Sequence, residues 1–395
     1  MIACFAWTNL QIINMTNARI NLYAEEKADL FIRMGPHISG ELVEAVSSSG
    51  IYEHVYSFDP VVLSYKNMKM GWIPGFKVFL LRGEFRKAYD ALLEELCGRQ
   101  KYSRALVTWF YVDNVFVLDY WKRHADSFAI TLVEEGTGTY FYSKKDLAFP
   151  MFMGKCLKDR IRRKVTEGPL ARVLRKDIDS ICMYRPEYSQ KDVDYRKLQL
   201  PRISQTENAE VYQLLCAATK SVARSNLDRY ENSRAIYFSL FSQEGPEYDA
   251  TSLEILTALI DAFPSGQVAA KIHTGDPVHA GNFALEVEDR VFTDRQVYIF
   301  EGLYAQMHER SRKLLVSCIS SAAINPKFMF GEEPTVIFTY RLYHDYKTRP
   351  ILGDDWIAAA LLDAYSDKSR VMIPDSMEEL KQILERLSLH QDSKE

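Results

Sequence analysis

Residues 2–34 read IACFAWTNLQIINMTNARINLYAEEKADLFIRM. Two short apolar runs, IACFAW and ADLFIRM, flank a longer stretch that predicts a helix through Asn17 to Glu26. The runs have the near-continuous apolar composition of strands covered on both faces, as in a parallel sheet. The alternation continues with GELVEAVSSSG, YEHVYSF, the amphipathic FRKAYDALLEELCG, then RALVTWF and SFAITLV. Strand and helix in turn predict an α/β fold with a parallel sheet wrapped by helices. The rhythm returns later with helices AEVYQLLCAATKSVA and TSLEILTALIDAF and strands RAIYFSLF, QVAAKIH, VYIF, KLLVSCIS and EPTVIFTY.

A chain of 395 residues, 47% of them hydrophobic, exceeds what one core comfortably holds, so two domains are expected. We place them at residues 1–185 and 209–395, joined by a linker over 186–208 that is rich in Tyr, Pro and charge. Near the end, Asp375 or Ser376 with Glu379 marks a helix start. The formal charge of −4 argues against general nucleic-acid binding, which needs a dominant basic surface. Cys4, Cys97, Cys156, Cys182, Cys216 and Cys318 are scattered without zinc-ligand spacing, which excludes a Cys-based metal motif and fits a reducing, cytoplasmic compartment. Thr8, Asn9 and Gln11 interrupt the apolar start, so the N-terminus reads as a first strand, and no apolar run approaches the roughly 20 residues that cross a bilayer. The basic segment KCLKDRIRRKVTEGPLARVLRK, residues 155–176, is either a solvated helix face or a surface for an acceptor or for anionic lipid at the inner membrane.

Chemistry-bearing residues fall where strands are expected to end. FAITLVEEGTGTYFY, residues 128–142, delivers Glu134, Glu135 and Gly136 after an apolar run. Neighbouring carboxylates in a desolvated site oppose double ionisation, so one can serve as a general base near neutral pH; a plain polar turn has the same look. His273 follows QVAAKI and could donate to a leaving phosphate, or be structural. Ser320 and Ser321 follow KLLVSCI and could hold an anion if a helix begins there, or act as caps. Glu301 in VYIFEGLY emerges from an apolar strand, or is a helix-start acid. Gly136-Thr137-Gly138 lacks the third glycine of a dinucleotide fingerprint, and no Walker motif occurs. Asp177-Ile178-Asp179 and Asp192-Val193-Asp194 have a metal-nucleotide form but lie in the charged tract and end no buried strand, so no metal site is expected.

In order, Glu134-Glu135-Gly136, His273-Thr274 and Ser320-Ser321 resemble the motifs of bacterial sialyltransferases, most closely glycosyltransferase family 52, the lipooligosaccharide and capsule enzymes related to the polysialyltransferases. TNLQIINMTNARI, ADLFI, LQLPRI and NPKFMFGEEPTVIFTY extend the resemblance over most of the chain. It implies a GT-B arrangement, two Rossmann-like domains facing a central cleft, and inverting transfer of sialic acid from CMP-sialic acid to a galactose-like hydroxyl of a surface glycan. It implies Glu135 as the base, with Glu134 and Gly136 beside it as substrate-binding residues. His273 would serve the departing phosphate, Ser320 and Ser321 would hold it, and Glu301 would bind the ribose. No metal or other cofactor is implied, since donors and a histidine can stabilise a monophosphate leaving group. A homodimer is the family's expected assembly. Thr274 stands where the family has proline. Asp249, or its neighbour Glu247, is the alternative base. Rival readings are a GT-B enzyme with another nucleotide sugar and a non-catalytic glycan-assembly protein of the same fold.

Overall fold

A computed structural model of the chain describes residues 1–60, 74–108, 112–141, 168–222, 224–239, 246–273, 287, 289–344 and 355–389. It divides into two compact units, Met1–Pro201 and Arg202–Glu395. The first holds a seven-stranded sheet of β1 (Ile2–Ala6), β2 (Ala28–Arg33), β3 (His54–Phe58), β4 (Arg104–Val107), β5 (Ala129–Val133), β6 (Ile178–Met183) and β7 (Arg196–Gln199), ordered β3-β2-β1-β4-β5-β6-β7. Every pairing in it is parallel. All five residues of β1 are buried, because helices cover both faces of a parallel sheet.

The second unit repeats the plan with six parallel strands. They are β8 (Ala235–Phe238), β9 (Val268–Lys271), β10 (Phe292–Asp294), β11 (Leu314–Ser317), β12 (Thr335–Phe338) and β13 (Val371–Met372), ordered β10-β9-β8-β11-β12-β13. Both sheets are therefore doubly wound, with strand order reversing between β1 and β4 in the first and between β8 and β11 in the second. In open α/β sheets the crevice outside the carboxyl ends of the strands at such a reversal is where ligands bind.

Several expectations need correction. The first helix runs Asn9–Leu22, not Asn17 to Glu26, because Thr8 caps it by accepting from the Gln11 N–H. The tract 186–208 is not a free linker: β7 lies within it and pairs with β6, so the first unit extends to Pro201. VYIF is not a strand. Phe292–Asp294 takes the sheet position as β10, and Phe300 opens the helix Phe300–Gln306. Asp177-Ile178-Asp179 opens the buried strand β6, at the end remote from a ligand crevice, where Asp177 pairs with Lys122 and Asp179 with Arg104. Of the basic segment 155–176, residues up to 167 lie outside the described residues; Gly168–Leu174 is a helix. The terminal helix Met377–Leu389 starts as expected, with Ser376 Oγ accepting from the Glu379 N–H at 3.2 Å and the Glu379 carboxylate accepting from the Asp375 N–H at 2.8 Å.

Close helix approach in the second unit depends on Gly302. A Cβ there would lie 2.7 Å from the Leu215 carbonyl oxygen and 2.8 Å from Thr219 Cγ2. We expect Gly302→Ala to destabilise by about 1–3 kcal/mol through forced separation of Ala209–Ala217 from Phe300–Gln306. A urea midpoint equal to that of the parent would show that the helices yield without cost.

Candidate active site

In the first unit the site is built from the ends of three adjacent strands. The helix after β1 is buried around most of its surface yet carries Gln11, Asn14 and Asn17, spaced three apart and so on one face. Asn14 Nδ2 donates to the Glu134 carbonyl at 2.8 Å and Asn14 Oδ1 accepts from the Tyr184 hydroxyl at 2.8 Å. Asn17 Nδ2 donates to the Pro201 carbonyl at 2.8 Å. Gln11 is fixed at both ends of its amide: Oε1 accepts from the Trp7 N–H at 2.8 Å and Nε2 donates to Glu135 Oε1 at 2.5 Å.

The two glutamates are held differently. Glu134 is buried, and its Oε2 accepts from the Tyr140 hydroxyl at 2.5 Å and the Tyr184 N–H at 2.8 Å. Burial pushes its pKa up to about 8 against the pull of those two donors. This acid ties the β5 end to the β6 end and is a scaffold group. Glu135 points elsewhere. Its residue surface is partly exposed, but its Oε2 is buried and accepts no hydrogen bond. Burial raises its pKa to about 7, with Gln11 and then Thr108 opposing. Thr108 follows β4 directly, and its buried Oγ1 is close enough to act on Glu135 but completes no hydrogen bond. Gly136 has φ +146°, which glycine alone adopts readily, and lets the chain turn so that the Glu135 N–H reaches Thr139 Oγ1 at 3.2 Å.

In the second unit, Ser320 caps the helix Ser321–Phe330. Its Oγ accepts from the Ala322 N–H at 3.3 Å and its own N–H donates to Ser317 Oγ at the end of β11. Ser320 and Ser321 thus stand at the N-terminus of a ten-residue helix, beside the β8–β11 reversal. His273, two residues past β9, is exposed; its backbone N–H donates to Ser239 Oγ, the residue after β8, at 2.9 Å. Thr274 lies outside the described residues. Glu301 sits buried in the first turn of Phe300–Gln306, so it is a helix-start acid and not a strand-end one. Asn325 Nδ2 donates to its Oε1 at 2.6 Å, and burial raises its pKa. Asn325, one turn beyond Ser321, therefore links Glu301 to the serine helix. Asp249 lies half-buried in the first turn of Pro246–Ala262 with its pKa raised by burial; Glu247, two residues earlier, is exposed. Among the described residues no three His, Cys, Asp or Glu side chains gather as a metal-binding group. No helix among them is long and apolar enough to cross a membrane.

Two doubly wound units of this kind match whole chains among solved structures. Glycyrrhiza uralensis UGT73P12, solved with glycyrrhetinic acid 3-O-monoglucuronide, aligns over 99% of this chain and 91% of its own at 11% identity and TM-score 0.54. TcCGT1, solved in complex with UDP, aligns over 100% and 91% at 12% identity and TM-score 0.51. The chain has the GT-B fold. At such identities the likeness carries the fold alone. A scan against protein-family models finds no match, and a search of curated protein sequences finds none.

Within the GT-B fold, the first unit carries Glu134, Glu135 and Gly136 at the end of β5, one strand from its reversal. The second assembles Ser320, Ser321 and, through Asn325, Glu301 at its own reversal, with His273 tied to the adjoining strand end. The sequence reading missed Gln11, Thr108, Tyr140, Tyr184, Ser239 and Asn325. The three-residue spacing of Gln11, Asn14 and Asn17 in an otherwise apolar segment is the signal that could have found the first, since polar residues on a buried helix face need partners.

Proposed function

We propose that the chain is an inverting glycosyltransferase that moves sialic acid from CMP-sialic acid to a galactose-like hydroxyl of a surface glycan, lipooligosaccharide or capsule, working at the cytoplasmic face of the membrane. One observation carries the transferase reading: Glu135 keeps a buried carboxylate oxygen without a partner, at the carboxyl end of β5, with the other oxygen held by Gln11. A carboxylate placed this way and titrating near neutral pH suits a general base. Its Oε2 takes the proton of the acceptor hydroxyl while the acceptor oxygen bonds to the anomeric carbon. The bond from that carbon to the phosphate oxygen breaks, and its electron pair leaves with CMP. His273 and the hydroxyls of Ser320 and Ser321 stabilise the phosphate, helped by the positive end of their helix. Glu301 and Asn325 serve the ribose hydroxyls.

Asp249 has a sufficient alternative role, because a carboxylate in the first turn of a helix is favoured by the helix dipole. The motif resemblance supports the CMP donor. A structure of the same fold that holds UDP favours a second reading, a uridine diphosphate sugar as donor. Calorimetry with CMP, CMP-sialic acid, UDP and UDP-sugars, followed by nucleotide release in the presence of a galactoside, separates them. We expect tighter binding of the CMP compounds by at least about tenfold, equivalent to roughly 1.4 kcal/mol. A preference for UDP would overturn the donor assignment, and failure to bind or turn over any nucleotide sugar would overturn the enzyme.

A further inference from the structure

We propose that Thr108 and Glu135 form a two-point subsite for adjacent hydroxyl groups of a glycoside acceptor, so that Thr108 helps select which acceptor hydroxyl reacts. This rests on Glu135 as the acceptor-side base. The two residues follow neighbouring parallel strands: Val107 of β4 pairs with Leu132 of β5, so Thr108 comes level with Val133, and Glu135 lies two residues farther out at the same carboxyl edge. Thr108 is 1% exposed, and its Oγ1 and Glu135 Oε2 are both buried atoms that complete no hydrogen bond, although the Thr108 hydroxyl lies close enough to Glu135 to favour its charge. Buried polar groups in folded proteins are almost always paired, and two orphans together point to a ligand that completes them.

The chemistry of the pair narrows the ligand. An ionised carboxylate oxygen accepts only, whereas a threonine hydroxyl donates or accepts. An anion is repelled by Glu135, and a simple cation makes no use of a hydroxyl donor. A polyol satisfies both: one hydroxyl donates to Glu135 Oε2, and its neighbour on the ring accepts from Thr108 Oγ1. Gln11 occupies Glu135 Oε1, which leaves Oε2 for the substrate. The hydroxyl on Oε2 is the one deprotonated. Its neighbour, held by Thr108, fixes the sugar's orientation and hence the linkage formed. Thr108 is in this sense a positioning residue.

Thr108→Val keeps the branched shape and removes the hydroxyl; Thr108→Ser keeps the hydroxyl. With methyl β-galactoside as acceptor, we expect Thr108→Val to raise the acceptor KM roughly 5- to 100-fold. The donor KM should stay unchanged, and the thermal midpoint should stay close to that of the parent, since the hydroxyl removed completes no hydrogen bond. Thr108→Ser should restore the acceptor KM to within about threefold. The Thr108→Val penalty should vanish for the monodeoxy galactoside that lacks the hydroxyl beside the reacting one. An unchanged KM, or an equal penalty for every deoxy analogue, overturns the subsite. If Glu135→Gln leaves turnover intact, the base assignment fails separately. Line broadening of methyl β-galactoside resonances by the parent and by Thr108→Val then still decides the subsite: weaker binding in the variant sustains it, and equal or absent binding overturns it.

Discussion

Glu135→Gln is expected to lower nucleotide-sugar turnover by about 10²- to 10⁴-fold, the range that a positioned general base supplies. The variant should fold normally. A glutamine at 135 still offers a carbonyl to Gln11 Nε2, and its amide can donate to Thr108 Oγ1, which now has no partner. The pH dependence makes the test specific. Burial holds the Glu135 pKa near about 7, so the ionised base is scarce at pH 5 and dominant at pH 8. Parent kcat/KM should therefore rise about tenfold per pH unit below 7 and level off above it, and residual activity in Glu135→Gln should lack that limb. Gln11→Ala removes the strongest group opposing the upward shift, so its ascending limb should move to higher pH with the plateau retained. Asp249→Asn is the control. If it loses the limb and Glu135→Gln keeps it, the proton goes to Asp249 and the first unit's acid is only a turn.

The fold was legible because buried parallel strands have a composition few other elements share. IACFAW and RAIYFSLF, read as strands from their apolar runs, are β1 and β8, the strands beside the two reversals. VYIF misled for the same reason. A short apolar run does not tell a buried strand from the lead into a buried helix, and here Phe300 and Tyr304 pack inside as helix residues. The site was half legible. Glu134 and Glu135 stand out as adjacent acids, but nothing in their spacing says that one is a strut and the other faces a gap. That difference comes from Tyr140 and Tyr184, which take Glu134, and from Gln11, some 124 residues away in sequence, which takes one oxygen of Glu135. Thr108 carries no sequence signal. Its meaning lies in the register of β4 against β5, which exists only in the sheet.

Glu134 yields the second large effect, on stability. Glu134→Ala removes the acceptor that Oε2 offers to the Tyr140 hydroxyl and the Tyr184 N–H and opens a cavity, so a loss on the order of 3–5 kcal/mol is expected. Glu134→Gln keeps an acceptor for both donors and separates charge from packing. Its signature is in the pH dependence. With a folded pKa near about 8 against an ordinary value of 4.5, the folded protein retains a proton that the unfolded chain releases. Stability from this group is thus fully present below pH 4.5 and falls as pH rises toward 8, by about 1.4 kcal/mol per unit across that window. Glu135 acts in the same direction up to about 7. Glu333, held near about 2 first against burial and then by Lys327 and Ser366, changes stability only at more acidic pH. Urea unfolding at pH 5 and pH 8 should therefore show the parent losing stability, Glu134→Gln losing less, and the Glu134→Gln/Glu135→Gln double variant losing least. A parent and a Glu134→Gln variant that fall in parallel would mean that Glu134 is already ionised in the fold, with Tyr140 and Tyr184 sufficient to hold its charge.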